Sequence, residues 1–140
     1  LDWAVNGALT GRPEVADQPA WRERLAASDG LFGAGIPDAV ADALPGRVDR
    51  QTVLGYLEAV RGSCLEWLDD VPEADLERPV DLGSGPDAYR LPAVWAEIES
   101  LSGIPAWQLL ARPAISHIRV HMGEVDTLLA ALRAAASSPA

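Results

Sequence analysis

Two histidines stand four residues apart in Ser116-His117-Ile118-Arg119-Val120-His121-Met122-Gly123-Glu124, and the chain contains no others. On an α-helix, positions i and i+4 share one face, so both imidazoles reach one point in space. Neutral imidazole is the commonest protein ligand for a transition metal. The pair therefore has two readings. It is either two ligands of one metal ion or a half-buried pair with hydrogen-bonded rings and no metal. A catalytic site ordinarily uses three protein ligands and an open position, and a third histidine is absent.

The elements that must position this pair are helical. Ile118, Met122, Val125, Leu129 and Leu132 recur at helical spacing in the longest helix, which starts at Pro113. This stripe is expected to face the core. His117, His121, Glu124 and Leu128 form the adjacent stripe, about 100° per residue around the axis. The histidines are thus expected to point together into a crevice between helices. A frayed tail is expected over residues 134–140.

Upstream, Asp49 caps a second clear helix whose apolar stripe is Val53, Leu57, Val60, Cys64 and Leu68. Cys64 reads as a small, inert core residue rather than a nucleophile. Pro72 ends that helix, and residues 72–76 form a short turn. A first helix covers residues 1–10 and stops at Gly11-Arg12-Pro13. Shorter helical stretches are expected at 20–27, 38–44, 92–101 and 107–110, the last two separated by Gly103-Ile104-Pro105. Residues 29–37 and 80–88 read as loops. The glycines of the former lack the strand-then-helix frame of a phosphate loop. Without an alternating strand pattern, the class is all-α, most simply an antiparallel bundle in one domain spanning residues 1–140.

Composition narrows the function. Of 140 residues, 49% are apolar, and 21 acidic residues against 11 basic ones give a net charge of −10. That balance disfavours nucleic acid and an anionic membrane surface as partners. A single cysteine excludes an internal disulfide. Neither a membrane-spanning apolar run nor a signal-peptide pattern is evident, so the expected location is the cytoplasm. The opening Leu1-Asp2-Trp3-Ala4-Val5-Asn6-Gly7-Ala8-Leu9 has helical periodicity but neither cap nor initiator methionine. Residues before Leu1, or a partner chain packed on the bundle, are expected.

Several of these segments together resemble the DinB/YfiT-like family of metal-dependent four-helix bundles. His117-Ile118-Arg119-Val120-His121-Met122-Gly123-Glu124-Val125 is similar to the family's late-helix signature. Asp2-Trp3-Ala4-Val5-Asn6-Gly7-Ala8-Leu9-Thr10-Gly11-Arg12-Pro13 looks like the end of the helix that carries the family's first metal-binding histidine. Weaker likenesses lie in Trp21-Arg22-Glu23-Arg24-Leu25, Gly33-Ala34-Gly35 and residues 54–61. The resemblance implies a DinB-type antiparallel bundle whose first helix, with one of three histidine ligands, lies before Leu1. With His117 and His121 alone, an ion needs water, Asp2 or Glu124 as further ligands.

Relatives of known activity in that family include thiol-dependent transferases and a mycothiol-dependent maleylpyruvate isomerase. The resemblance therefore implies a divalent metal (zinc, nickel or iron), a low-molecular-weight thiol as cosubstrate and a small-molecule substrate. An ion with an open position ionises a coordinated thiol or water. Glu124 is the candidate catalytic side chain, holding a histidine ring or accepting a proton, beside the plainer role of a solvated carboxylate. The contrasting function is a non-catalytic bundle that binds a small apolar ligand or forms a homodimer, with Trp95 and Trp107 as anchors or core.

Overall fold

The computed structural model describes residues 1–25, 37–83 and 98–137. These residues are mostly helical and include no strand. A π-helix at Trp3–Leu9 leads into a 3₁₀ turn at Val15–Asp17. The α-helices are α1 (Pro19–Arg24), α2 (Asp38–Ala43), α3 (Arg50–Asp70), α4 (Glu73–Leu76), α5 (Ala106–Ala111) and α6 (Ile118–Ser137). Among the described residues, no helix is long and apolar enough to cross a membrane. The expected loops at 29–36 and 84–88, most of the helix at 92–101 with Trp95, and residues 26–27 and 138–140 lie outside the described residues.

A buried carboxylate organises the N-terminal half. Asp2 is only 6% exposed. Its Oδ1 accepts hydrogen bonds from Asn6 Nδ2 and the Val15 backbone N–H, both 2.8 Å. Its Oδ2 accepts from the Ala16 N–H at 3.0 Å and the Tyr56 hydroxyl at 2.8 Å. Four donors thus offset the cost of removing the charge from water. Asn6 extends the link, its Oδ1 accepting from Ser63 Oγ at 2.7 Å. One face of the π-helix, Asp2 and Asn6, is thereby fastened to both the 3₁₀ turn and α3. Gly11, at φ +66°, ends the π-helix in the left-handed conformation.

Apolar packing surrounds this network. Val5 and Val15 pack with Val60 and Cys64 of α3, and Leu25 packs with Ala16 beside Trp21, Val48 and Tyr56. A separate cluster joins Ala4 to Val80, Leu101, Ala106 and Leu109. The strand-like contact between residues 78–82 and 103–106 holds that cluster closed through Val80 N–H to Ile104 O, Gly103 N–H to Val80 O and Ala106 N–H to Arg78 O. Gly103 reaches φ +87° there.

Helix α3 begins at the expected cap. Asp49 accepts from the Thr52 N–H at 2.8 Å and the Thr52 hydroxyl at 3.0 Å. Its packed face, however, is turned from the expected stripe. Val60 and Cys64 are buried, but Leu57 and Leu68 are exposed. Tyr56, Ala59 and Trp67 take the packed positions instead. Tyr56 is fixed there by Asp2 and by an edge contact with Trp21, ring centroids 5.9 Å apart. Gly55 permits this approach, since a Cβ would meet Trp21 Cη2 at 3.3 Å.

The last helix differs more. Pro113 does not start it. Helix α5 continues through a π-helical segment, Arg112–His117, directly into α6. Pro113 has no N–H to return to the carbonyl four residues back, and the wider register passes around that loss. Helical structure also persists to Ser137, into the expected frayed tail. The stripe expected in the core is exposed, from 41% at Leu129 to 67% at Leu132. Every described side chain from Ala114 to Ser137 is exposed. The all-α class therefore holds, while α6 makes no buried core of its own among the described residues.

Two measurements check this architecture. Asp2→Ala removes the shared acceptor of four donors, and urea unfolding should show a loss of about 3–5 kcal/mol. Tyr56→Phe should cost about 1–2 kcal/mol. At the α3 cap, the Thr52 N–H and then the Thr52 hydroxyl hold the Asp49 carboxyl below its ordinary value of 3.8. The charged form is thus favoured by folding. Its stabilisation is present above the unfolded value and lost as pH falls through the folded one. Asp49→Ala should lower the thermal midpoint at neutral pH, and the gap to the parent should close in acid below that range. A gap independent of pH would show that the cap does not act through the ionised carboxyl.

Candidate functional site

The candidate site stands on the junction between the π-helical segment and α6. His117 is the last residue of Arg112–His117, and His121 lies one turn into α6. The spacing acts as the sequence suggests, placing both rings together. His121 Nε2 lies 2.9 Å from His117 Nε2. The rings are perpendicular, at 88°, with centroids 4.5 Å apart. On its other side, His121 Nδ1 lies 2.8 Å from Glu124 Oε2.

With His121 in its Nδ1–H tautomer, Glu124 accepts from Nδ1–H and His121 Nε2 is a bare acceptor. The short contact to His117 is then a hydrogen bond donated by His117 Nε2–H. Replacing that shared proton by an ion requires both Nε2 lone pairs to converge. Two nitrogens bound at about 2.0–2.1 Å stand about 3.3 Å apart at a tetrahedral angle and about 2.9 Å apart at a right angle. The observed 2.9 Å matches adjacent ligands at a right angle, and a small opening of the rings reaches the tetrahedral separation. In separation alone, the two nitrogens match adjacent ligands of one ion. Glu124 fits the carboxylate that holds a ligand ring by its remote nitrogen.

Three expectations are corrected. The pair does not line a crevice: both histidines and Glu124 are exposed, with the His121 and Glu124 side chains 59% and 62% accessible. The neighbouring stripe is solvent-facing, and among the described residues no second helix closes over them. Asp2 is not available as a substitute ligand either, because its two oxygens already accept from four donors. Glu124 is spent on His121 Nδ1 rather than on the Nε2 side. Among the described residues, no group of three or more His, Cys, Asp or Glu side chains is arranged around one point for an ion.

Sequence reasoning also missed a groove. Leu57, Leu65 and Leu68 of α3 face Trp107, Ile115 and Ile118 across an apolar groove of about 610 Å³. The exposed edge of the α3 stripe was the available signal, but periodicity alone does not separate that edge from the buried one. Trp107 is half exposed in this wall rather than buried. Cys64 sits at the groove floor, 6% exposed. Burial pushes its thiol up from the ordinary value, outweighing the N-terminal ammonium, which lowers it, and the charge of Asp2 adds to the rise. A thiol held up by burial is the reverse of a reactive thiolate.

Comparison with known protein families, curated proteins and solved structures found no match to this chain.

The placement of Cys64 makes a direct prediction. A thiol reagent should modify the native protein slowly at neutral pH and the urea-unfolded protein at the rate of a free thiol. Labelling as fast in the native state as in the unfolded one would contradict both the burial and the raised pKa.

Proposed function

We propose that this chain is a metal-dependent helical protein of the DinB/YfiT-like type, in which His117 and His121 ligate a divalent ion and Glu124 holds the His121 ring. The observation that carries the reading is the continuous arrangement of Glu124, His121 and His117, with Nε2 atoms 2.9 Å apart and the outer nitrogen tied at 2.8 Å. The likeness of residues 117–125 to the family's late-helix signature supports it independently. The remaining ligands are water, a substrate thiol or a donor outside the described residues.

Such an ion, zinc, nickel or iron, supplies Lewis acidity that brings a thiol or water to its ionised form near neutral pH. The chain's own residues set the geometry. Glu124 holds the His121 tautomer that leaves Nε2 bare, and His117 presents its Nε2 from the preceding turn. The exposed setting leaves ample room for a low-molecular-weight thiol and a small-molecule substrate. The reaction class is thiol transfer, isomerisation or hydrolysis. A second reading, a non-catalytic bundle with a degenerate metal site, is favoured by the ligand count, since only two side chains converge among the described residues.

Calorimetric titration with zinc and nickel tests the proposal. The parent should bind, and His117→Ala/His121→Ala should abolish binding while leaving the thermal midpoint unchanged, because both rings are exposed. Glu124→Gln should weaken binding by about 10–100-fold. Equal affinity in the double variant and the parent would remove the site. Binding without any thiol-dependent turnover would favour the second reading.

A further inference from the structure

A second concavity, of about 570 Å³, lies where the end of the π-helix Trp3–Leu9 meets the C-terminal end of α3, α4 and the start of α5. Leu9, Val71, Val80 and Ala106 line it, with Trp67 as a further wall. Val80 and Ala106 are each only 6% exposed. They are fixed by the hydrogen bonds from Val80 N–H to Ile104 O and from Ala106 N–H to Arg78 O, so the apolar floor is already formed. The volume falls within the roughly 300–1,000 Å³ of small-molecule sites. His117, His121 and Glu124 take no part in its lining.

Charged side chains stand at the opening. Arg12 and Arg78 each precede a proline, which restricts their backbones to extended conformations. Gly11 turns the chain at φ +66°. The Arg12 N–H is then held by Asn6 O at 2.7 Å and by Thr10 Oγ1 at 3.2 Å. The Arg78 carbonyl accepts from the Ala106 N–H at 3.0 Å. Both side chains therefore start from a fixed backbone. Arg78 Nε lies 3.5 Å from Asp75 Oδ1, a contact that does not use its two terminal nitrogens. Among the described residues, no carboxylate pairs with the Arg12 guanidinium. That is so on a chain with 21 acidic residues against 11 basic ones, where internal acceptors are abundant.

We propose that this pocket binds a small organic acid that carries one negative charge on a flat apolar body. Arg12 takes the carboxylate, with the terminal nitrogens of Arg78 beside it, because a planar guanidinium matches a planar carboxylate. The body lies over Leu9, Val80 and Ala106 against the Trp67 indole, where a flat ring gains from aromatic contact. Asp75 and Asp81 limit the charge. Asp81 is held in place by the Gly83 N–H, which donates to its Oδ1 at 2.8 Å. Among the described residues, the lining holds two guanidiniums and two carboxylates. One added anion is matched by Arg12, whereas a second negative charge meets Asp75 or Asp81. The pocket thus discriminates against dianions by repulsion.

Calorimetric titration of the 140-residue chain with benzoate and phenylacetate tests the proposal. A chelator is present throughout, so that no ion at His117 and His121 can hold a carboxylate. Both monoanions should bind saturably. Neutral benzamide and the dianion isophthalate should each bind about tenfold more weakly or worse. Arg12→Gln should weaken benzoate binding by about tenfold while leaving benzamide unchanged. Asp81→Asn keeps an acceptor for the Gly83 N–H and should narrow the gap between isophthalate and benzoate. Arg12 and Asp81 are exposed, and circular dichroism checks that both variants keep the parent's fold. Absence of saturable binding of either monoanion by the parent would overturn the proposal. So would parent-like benzoate affinity in Arg12→Gln, the result expected if the acid instead enters the apolar groove beside Trp107. Isophthalate bound as tightly as benzoate, or a gap unchanged by Asp81→Asn, would overturn the limit to one charge.

Discussion

Asp2 is the point from which the N-terminal half hangs. A buried carboxylate is costly unless its oxygens are satisfied, and here each oxygen receives two donors from different parts of the chain. Two are backbone N–H groups at the start of a 3₁₀ turn, one is a turn away on its own helix, and one is a phenol 54 residues distant. These partners have directional requirements that apolar contacts lack. The π-helix, the 3₁₀ turn and α3 therefore meet in one register. Val5, Val15, Val60 and Cys64 then pack in the space that the network defines. The apolar cluster supplies burial, and the carboxylate supplies uniqueness of arrangement.

Local signals were legible in the sequence. Asp49 caps α3, Gly11 stops the first helix, and Gly103-Ile104-Pro105 separates the 3₁₀ turn at Glu99–Leu101 from α5. Each works within a few residues. The rotation of α3 was not legible, because Val53, Leu57, Val60, Cys64 and Leu68 form as good a stripe as the one that packs. The choice is made by Tyr56 and Trp67, whose contacts are long-range. Asp2 and Asn6, one turn apart on an apolar helix, were a visible polar signal, yet nothing nearby names Tyr56 or Ser63 as their partners.

The candidate site divides the same way. Spacing was enough to bring His117, His121 and Glu124 into contact, since all three belong to one continuous helix. Spacing did not tell what lies opposite them. An amphipathic pattern shows that a helix has an apolar face, but the identity of the surface that covers it belongs to the rest of the assembly. The crevice expected from the stripe pattern needs a neighbour that the described residues do not provide.

The π-helical segment Arg112–His117 gives the helix a phase as well as a path. Wider winding acts like one extra residue slipped into an α-helix, and each residue of an α-helix turns the axis by about 100°. The compass bearing of everything downstream, His121 and Glu124 included, is therefore set by a handful of residues at this segment. A change in length at this segment would swing the His121 and Glu124 face away from or toward the groove. Orientation and chemistry can thus drift independently along this one helix.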